Sequence, residues 1–240
     1  MIEVAISYGF GEENRYNLDE IPQSIQLALY KYDLYQKYKD EIWKAIEENN
    51  IKVHAIHLPI DTLKREFEDT HEIMVDGLKR AGCTKYVIHP NRSIRSYIDV
   101  FLQTGLNVQL CIENFQWRKH KELRSPLNIV EACLDVVTYE DRHNLRMTFD
   151  TSHADNIWFD HRILPFILRY TTIIHLSNRS RKFGQHMPFN SSDGELNLVR
   201  FVHELKNRYK WNGIIVLEYM EQYKDKLLKN YNYIKRLLEK

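Results

Sequence analysis

The stretch 107-NVQLCIE-113 is an apolar run that ends on an acid, and that ending decides how the rest of the chain is read. A buried strand ordinarily gives way to a turn residue, because a charged side chain at the edge of an apolar core is costly unless paired or bound. Similar endings recur at 51-IKVHAIH-57, 84-TKYVIH-89, 145-LRMTFD-150, 171-TTIIH-175 and 213-GIIVLE-218. An amphipathic stretch follows these runs, the alternation of repeated βα units around a parallel sheet. Residues 2–7 form a further expected strand, and 24-SIQLALY-30 reads either as a strand or as the opening of the helix over 34–49. With it the count reaches eight. No GxGxxG follows the first strand, which weighs against an open dinucleotide-binding sheet. The expected architecture is α/β, a closed (β/α)8 barrel in a single domain over residues 1–240.

Helices fill the gaps. In 66-EFEDTHEIMVDGLKRAG-82, Ile73, Met74, Leu78 and Ala81 follow helical spacing, with Gly82 where a C-terminal cap belongs. Leu198, Phe201, Val202 and Leu205 share one face of a helix expected over 195–209, and a closing helix is expected over 223–239. The polar stretch 175-HLSNRSRKFGQHMPFNSSDGELN-197 reads as a long loop at the barrel mouth.

Composition sets the outer limits. The chain has 240 residues, 43% of them hydrophobic and 28% charged, slightly under the roughly 250 typical of such a barrel. No apolar stretch approaches the ~20 residues that span a bilayer, so no membrane partner is expected. The opening MIEVAIS runs straight into a strand-like segment without a charged stretch and apolar core, so secretion is not expected. Cys83, Cys111 and Cys133 are odd in number and scattered, which fits a reduced, cytoplasmic setting and no disulfide framework. A formal net charge of +1 provides no field for a nucleic-acid partner.

When parallel strands all end on acids and imidazoles, their tips converge at one point, the C-terminal mouth where barrel enzymes keep their chemistry. Oxygen and imidazole nitrogen together suit a divalent ion, Zn²⁺ or Mn²⁺ first, with Mg²⁺ or Co²⁺ also admitted. Glu113 and Glu218 end their strands alike and form a pair able to remove and return a proton. Asp150 and His153, in 149-FDTSH-153, would serve a helix cap if taken alone; beside Glu113, His175 and Glu218 they read as part of a metal site. His57 and His89 stand at strand ends close to Pro59 and Pro90, facing the pocket as ligands of a metal or of a substrate hydroxyl. In the mouth segment, Arg181 is suited to an anionic group and His186 reaches back over the site. Arg179 and Lys182 read as solvated, and the remaining histidines as structural or surface residues.

The chain resembles the xylose isomerase-like barrel superfamily, which includes sugar phosphate isomerases and epimerases and the endonuclease IV family. The resemblance is carried by HLP at 57–59, VIHP at 87–90, CIEN at 111–114, FDTSH at 149–153, IIHLSN at 173–178, HMP at 186–188 and VLE at 216–218. By resemblance to the epimerases, Glu113, Asp150, His175 and Glu218 hold one metal, the two glutamates act as acid and base, and His153 and Arg181 contact substrate. By resemblance to endonuclease IV, His57, His89 and Glu113 hold one zinc and Glu113, Asp150, His175 and Glu218 a second, while His153 and an Asp-x-His pair hold a third. This chain keeps His186 of that pair but has Gly184 in place of its aspartate, and its PFNSSDGELN tail carries a single glycine, Gly194.

The expected function is therefore a divalent-metal-dependent isomerase or epimerase acting on a small-molecule sugar or sugar phosphate by proton transfer through an enediolate. In this reading His57, His89 and His186 bind hydroxyls or a second metal. The alternatives are a zinc phosphodiesterase acting on abasic DNA and a non-catalytic barrel with a relic site. The sequence leaves a homo-oligomer open.

Overall fold

The computed structural model describes residues 1–10, 23–59, 67–89, 94–114, 126–135 and 144–239. Pro90, His120 and His143 lie outside these residues. Eight parallel strands close on themselves. They are β1 (Ile2–Phe10), β2 (Ser24–Leu29), β3 (Lys52–His57), β4 (Lys85–Ile88), β5 (Gln109–Glu113), β6 (Leu145–Asp150), β7 (Thr171–Leu176) and, after a two-stranded excursion, β10 (Gly213–Leu217). Around the barrel the order is β1-β10-β7-β6-β5-β4-β3-β2, and β2 pairs with β1 to complete the ring. The segment with two readings, 24–30, is thus mostly strand. Its partners on both sides, β1 and β3, override the helical option by offering a hydrogen bond to each edge.

Seven helices pack outside among the described residues: α1 (Tyr32–Glu48), α2 (Phe67–Ala81), α3 (Ile94–Gln103), α4 (Pro126–Asp135), α5 (Leu164–Tyr170), α6 (Leu198–Asn207) and α7 (Leu227–Glu239). In α6 the buried residues are Leu198, Phe201, Val202 and Leu205, as their spacing requires. That helix begins at Leu198 rather than at 195 because the Asn197 side chain accepts from the Arg200 amide and caps it there. Gly82 follows α2 with φ +61°, the left-handed turn of a helix C-terminus. A 3₁₀ turn over Glu221–Lys226 occupies the first part of the expected closing helix, which starts at Leu227 and packs beside β1. None of the helices among the described residues is long and apolar enough to cross a membrane.

Strand alternation sorts side chains into two environments. Outward residues such as Leu110, Ile112, Phe149, Ile174 and Ile215 join the large core under the helices. A second cluster, Ala5, Ala55, Val87, Cys111, Ile173, Ile214 and Val216, fills the barrel interior. His57, His89, Glu113, His175 and Glu218 each lie two residues beyond a member of that cluster. They therefore point the same way, one layer higher, and the apolar plug beneath closes the floor of the site.

The two cysteines whose side chains are described, Cys83 and Cys111, are 1% and 0% exposed, and burial pushes each thiol up to about 11. Both are expected to resist maleimide in the native protein at neutral pH and to react once it is unfolded. Peptide mass spectrometry of labelled native and denatured samples checks this; native labelling of either would contradict the packing.

Candidate metal centre at the barrel mouth

Glu113 is the last residue of β5, Asp150 the last of β6 and His57 the last of β3. His175 is the penultimate residue of β7, while His89 and Glu218 stand one residue past β4 and β10. Closure of the barrel brings these tips together. Glu113 is wholly buried, and its Oε2 lies 3.2 Å from His57 Nε2, 3.0 Å from His89 Nε2 and 3.3 Å from His175 Nδ1. His175 Nδ1 in turn lies 2.8 Å from Glu218 Oε2 and 3.8 Å from Asp150 Oδ2.

Three groups in this constellation have donor atoms within 4.8 Å of one another: His57, His89 and Glu113; Glu113, Asp150, His175 and Glu218; and Asp150, His153 and His186. Glu113 belongs to the first two and Asp150 to the last two. Arg181 does not join them. It is exposed in the turn of a hairpin, and its described contact is a backbone amide donating to Glu195 Oε1.

In the ion-free site the imidazoles balance the carboxylates. Burial alone would raise the Glu113 carboxyl, but the charges of His175 and His89 outweigh it and hold the group well below the usual range. Burial likewise raises Glu218, and His175 then His186 more than offset it. Burial would lower His175, whereas Glu113 and Glu218 drive it well above an ordinary imidazole. One atom of each residue in the four-membered group, Glu113 Oε1, Asp150 Oδ2, His175 Nδ1 and Glu218 Oε2, is buried without a hydrogen-bond partner. His175 Nδ1 and Glu218 Oε2 are close enough to pair as ions yet lie off the line of a hydrogen bond. Native proteins seldom leave such atoms unsatisfied. A divalent ion would satisfy all four, and carboxylate oxygen with imidazole nitrogen is a donor set that fits one.

The surrounding side chains aim these ligands. Asp150 Oδ1 accepts from Ser152 N (2.7 Å), Ser152 Oγ (2.8 Å) and His153 N (2.9 Å), which leaves Oδ2 facing inward. Asn114 ties β5 to β6: its Oδ1 accepts from Asp150 N at 2.8 Å and its Nδ2 donates to Asp150 O at 2.9 Å. His57 Nδ1 donates to Leu58 O at 3.0 Å, so its Nε2 lone pair faces Glu113. His153 Nδ1 donates to Asn114 O at 3.1 Å and turns its Nε2 toward His186 Nε2, 3.1 Å away. His175 Nε2 lies 3.0 Å from Gln26 Oε1. Neither Gln26 nor Asn114 stands among the sequence-derived site residues. Gln26 had a usable signal, as the one polar side chain inside the run 25–29, and Asn114 follows Glu113 directly in CIEN.

The expected loop over 175–197 is in part an antiparallel hairpin, β8 (Asn178–Ser180) with β9 (Gly184–Met187). Its residues are polar because it stands over the mouth, so it lacks the apolar alternation that marks a buried strand. The hairpin swings His186 over His153. Gly184 occupies φ +86°, a conformation glycine enters freely and an aspartate enters only with strain. Gly194 is needed for another reason: a Cβ there would lie 2.2 Å from Asn178 Nδ2, whose amide donates to Phe189 O and Leu196 O. Arg179, read as solvated, instead donates to Ala154 O and Asn156 Oδ1, fastening the hairpin to the turn after β6.

Comparison with known proteins places this geometry in context. Among solved structures, a xylose isomerase domain containing protein from Salmonella typhimurium is 15% identical with a TM-score of 0.68, over 99% of this chain and 97% of that one. A protein from Parabacteroides distasonis is 14% identical with a TM-score of 0.65, over 99% and 98% of the two chains. An L-ribulose 3-epimerase is 12% identical with a TM-score of 0.59, over 100% and 95%. At these identities the likeness is one of fold. No curated protein is matched. The family model described as a xylose isomerase-like TIM barrel matches residues 20–237, and the chain belongs to that family.

Proposed function

We propose that this protein is a divalent-metal-dependent isomerase or epimerase of a sugar or sugar phosphate. The observation that carries the reading is the convergence of four buried donor atoms without hydrogen bonds, from Glu113, Asp150, His175 and Glu218, at the mouth of the barrel. The fold shared with an L-ribulose 3-epimerase supports it. Those four residues would hold one ion, Zn²⁺ or Mn²⁺ being best suited to the donors, and His57 and His89 with Glu113 would hold a second or bind substrate hydroxyls. A bound ion would polarise neighbouring hydroxyl and carbonyl oxygens of a sugar and acidify the C–H between them.

The protein's own groups do the rest. Glu113 and Glu218 approach from two sides, with β7 and β6 between their strands, so one carboxylate removes the proton and the other returns it. The neighbouring imidazoles hold both carboxyls deprotonated in the ion-free site, the form a proton acceptor needs. His153 would orient the enediolate through the nitrogen that faces His186. Arg181, on the hairpin turn, would grip a phosphate or carboxylate from the solvent side. The phosphodiesterase reading is weaker, since Gly184 stands where the third-zinc aspartate is needed.

Exchange of substrate hydrogen with solvent deuterium is the direct test. Metal-loaded protein is expected to wash deuterium into at least one ketose or ketose phosphate, and to carry one or two ions per chain. Absence of exchange across a broad panel would sink the reading; three ions together with cleavage of abasic DNA would replace it.

A further inference from the structure

Gln26 is fully buried in β2, the one polar residue among Ile25, Leu27, Ala28 and Leu29. Its register partners are Ser7 on β1 and Ala55 on β3, and Ala55 belongs to the interior plug. From that position it reaches around the barrel to β7, placing Oε1 3.0 Å from the Nε2 of His175, 149 residues away in sequence. The other end of the amide gains nothing, since Gln26 Nε2 is buried without a hydrogen-bond partner. An amide kept in an apolar interior with half of its polar atoms unsatisfied is not explained by packing, where leucine or methionine would serve better. Its one satisfied atom is the acceptor aimed at His175.

We propose that Gln26 is a positioning residue for the metal centre: Oε1 accepts the Nε2–H of His175 and so turns the Nδ1 lone pair toward Glu113, Asp150 and Glu218. An imidazole has two nitrogens and only one faces the carboxylates. Anchoring the proton on the far nitrogen selects the ligating tautomer and stops the ring from flipping. Turned the other way, the Gln26 amide would donate to His175 Nε2 and leave the ring proton on Nδ1, where it would block an ion. This role rests on the metal centre proposed above.

The experiment uses the full chain, with Zn²⁺ as the probe, in three forms: wild type, Gln26→Leu and Gln26→Glu. Affinity is measured by competition with a chelator, folding by thermal unfolding, and the ring by the Nε2–H proton resonance of His175, assigned by its loss in His175→Asn. Gln26→Leu is expected to stay folded, to bind Zn²⁺ roughly 10–100-fold more weakly, and to lose or shift the protected Nε2–H resonance. Gln26→Glu, which keeps an acceptor, should restore both within a few-fold. Should Gln26→Leu fail to fold, Gln26→Glu still decides, because an unaltered fold with affinity lowered as far as an acceptor-free side chain predicts would overturn the role. Wild-type affinity in Gln26→Leu, or an unchanged Nε2–H resonance, overturns it while leaving the metal centre standing. A wild-type chain that retains no ion overturns the centre itself and this role with it.

Discussion

Glu113→Gln is expected to strip metal from both halves of the centre and to lower turnover by roughly 10²–10⁴-fold, the range that acid–base groups contribute. The substitution keeps the volume of the side chain and removes its charge. Glu113 Oε2 is shared by His57, His89 and His175, all within 3.3 Å. Loss of that oxygen's charge therefore weakens the three-membered and the four-membered group together. Glu218→Gln is the informative contrast, because Glu218 belongs to the four-membered group alone. It should cost the metal held there and spare the one at His57 and His89. Elemental analysis of both variants after dialysis, beside solvent-exchange rates, checks the difference. Equal metal content in wild type and Glu113→Gln would remove the shared carboxylate from the mechanism.

Phe149→Ala should destabilise the fold by about 3–5 kcal/mol and lower the melting temperature by about 10 °C or more. Phe149 is 0% exposed on the outer face of β6, and its ring centroid lies 5.6 Å from that of Phe159 and 6.4 Å from that of Phe201. Truncation leaves a cavity between the barrel wall and α6 that rigid neighbours on both sides cannot close. Asp150 is the next residue, on the opposite face, so the same change loosens a ligand as well as the core. Urea unfolding with an unchanged m-value, its midpoint reduced, is the expected signature; a cost below about 1 kcal/mol would show that the site collapses freely.

Much of the barrel is legible from local pattern alone. Short apolar runs, separated by helical faces such as Leu198, Phe201, Val202 and Leu205, need no knowledge of distant residues. The same holds for the strand ends: an acid or histidine after an apolar run is conspicuous, and Glu113, Asp150, His175 and Glu218 stand out singly before they meet. The hairpin over the mouth was not legible, since β8 and β9 are short, polar and paired only with each other. Arg181 is legible as a residue type, but only the tertiary structure places it on the exposed turn of that hairpin, its backbone amide donating to Glu195.

What the amino-acid order determined by itself is the βα alternation and the chemical character of each strand tip, because both follow from neighbours a few positions apart. Tertiary closure alone decided that Glu113 belongs to two groups of candidate ligands, that Asn114 clasps Asp150, and that Gln26 meets His175. Each of those contacts joins residues from different strands, 24 to 149 positions apart in sequence. They exist only because a twisted sheet of parallel strands returns on itself, carrying separate tips to a common centre.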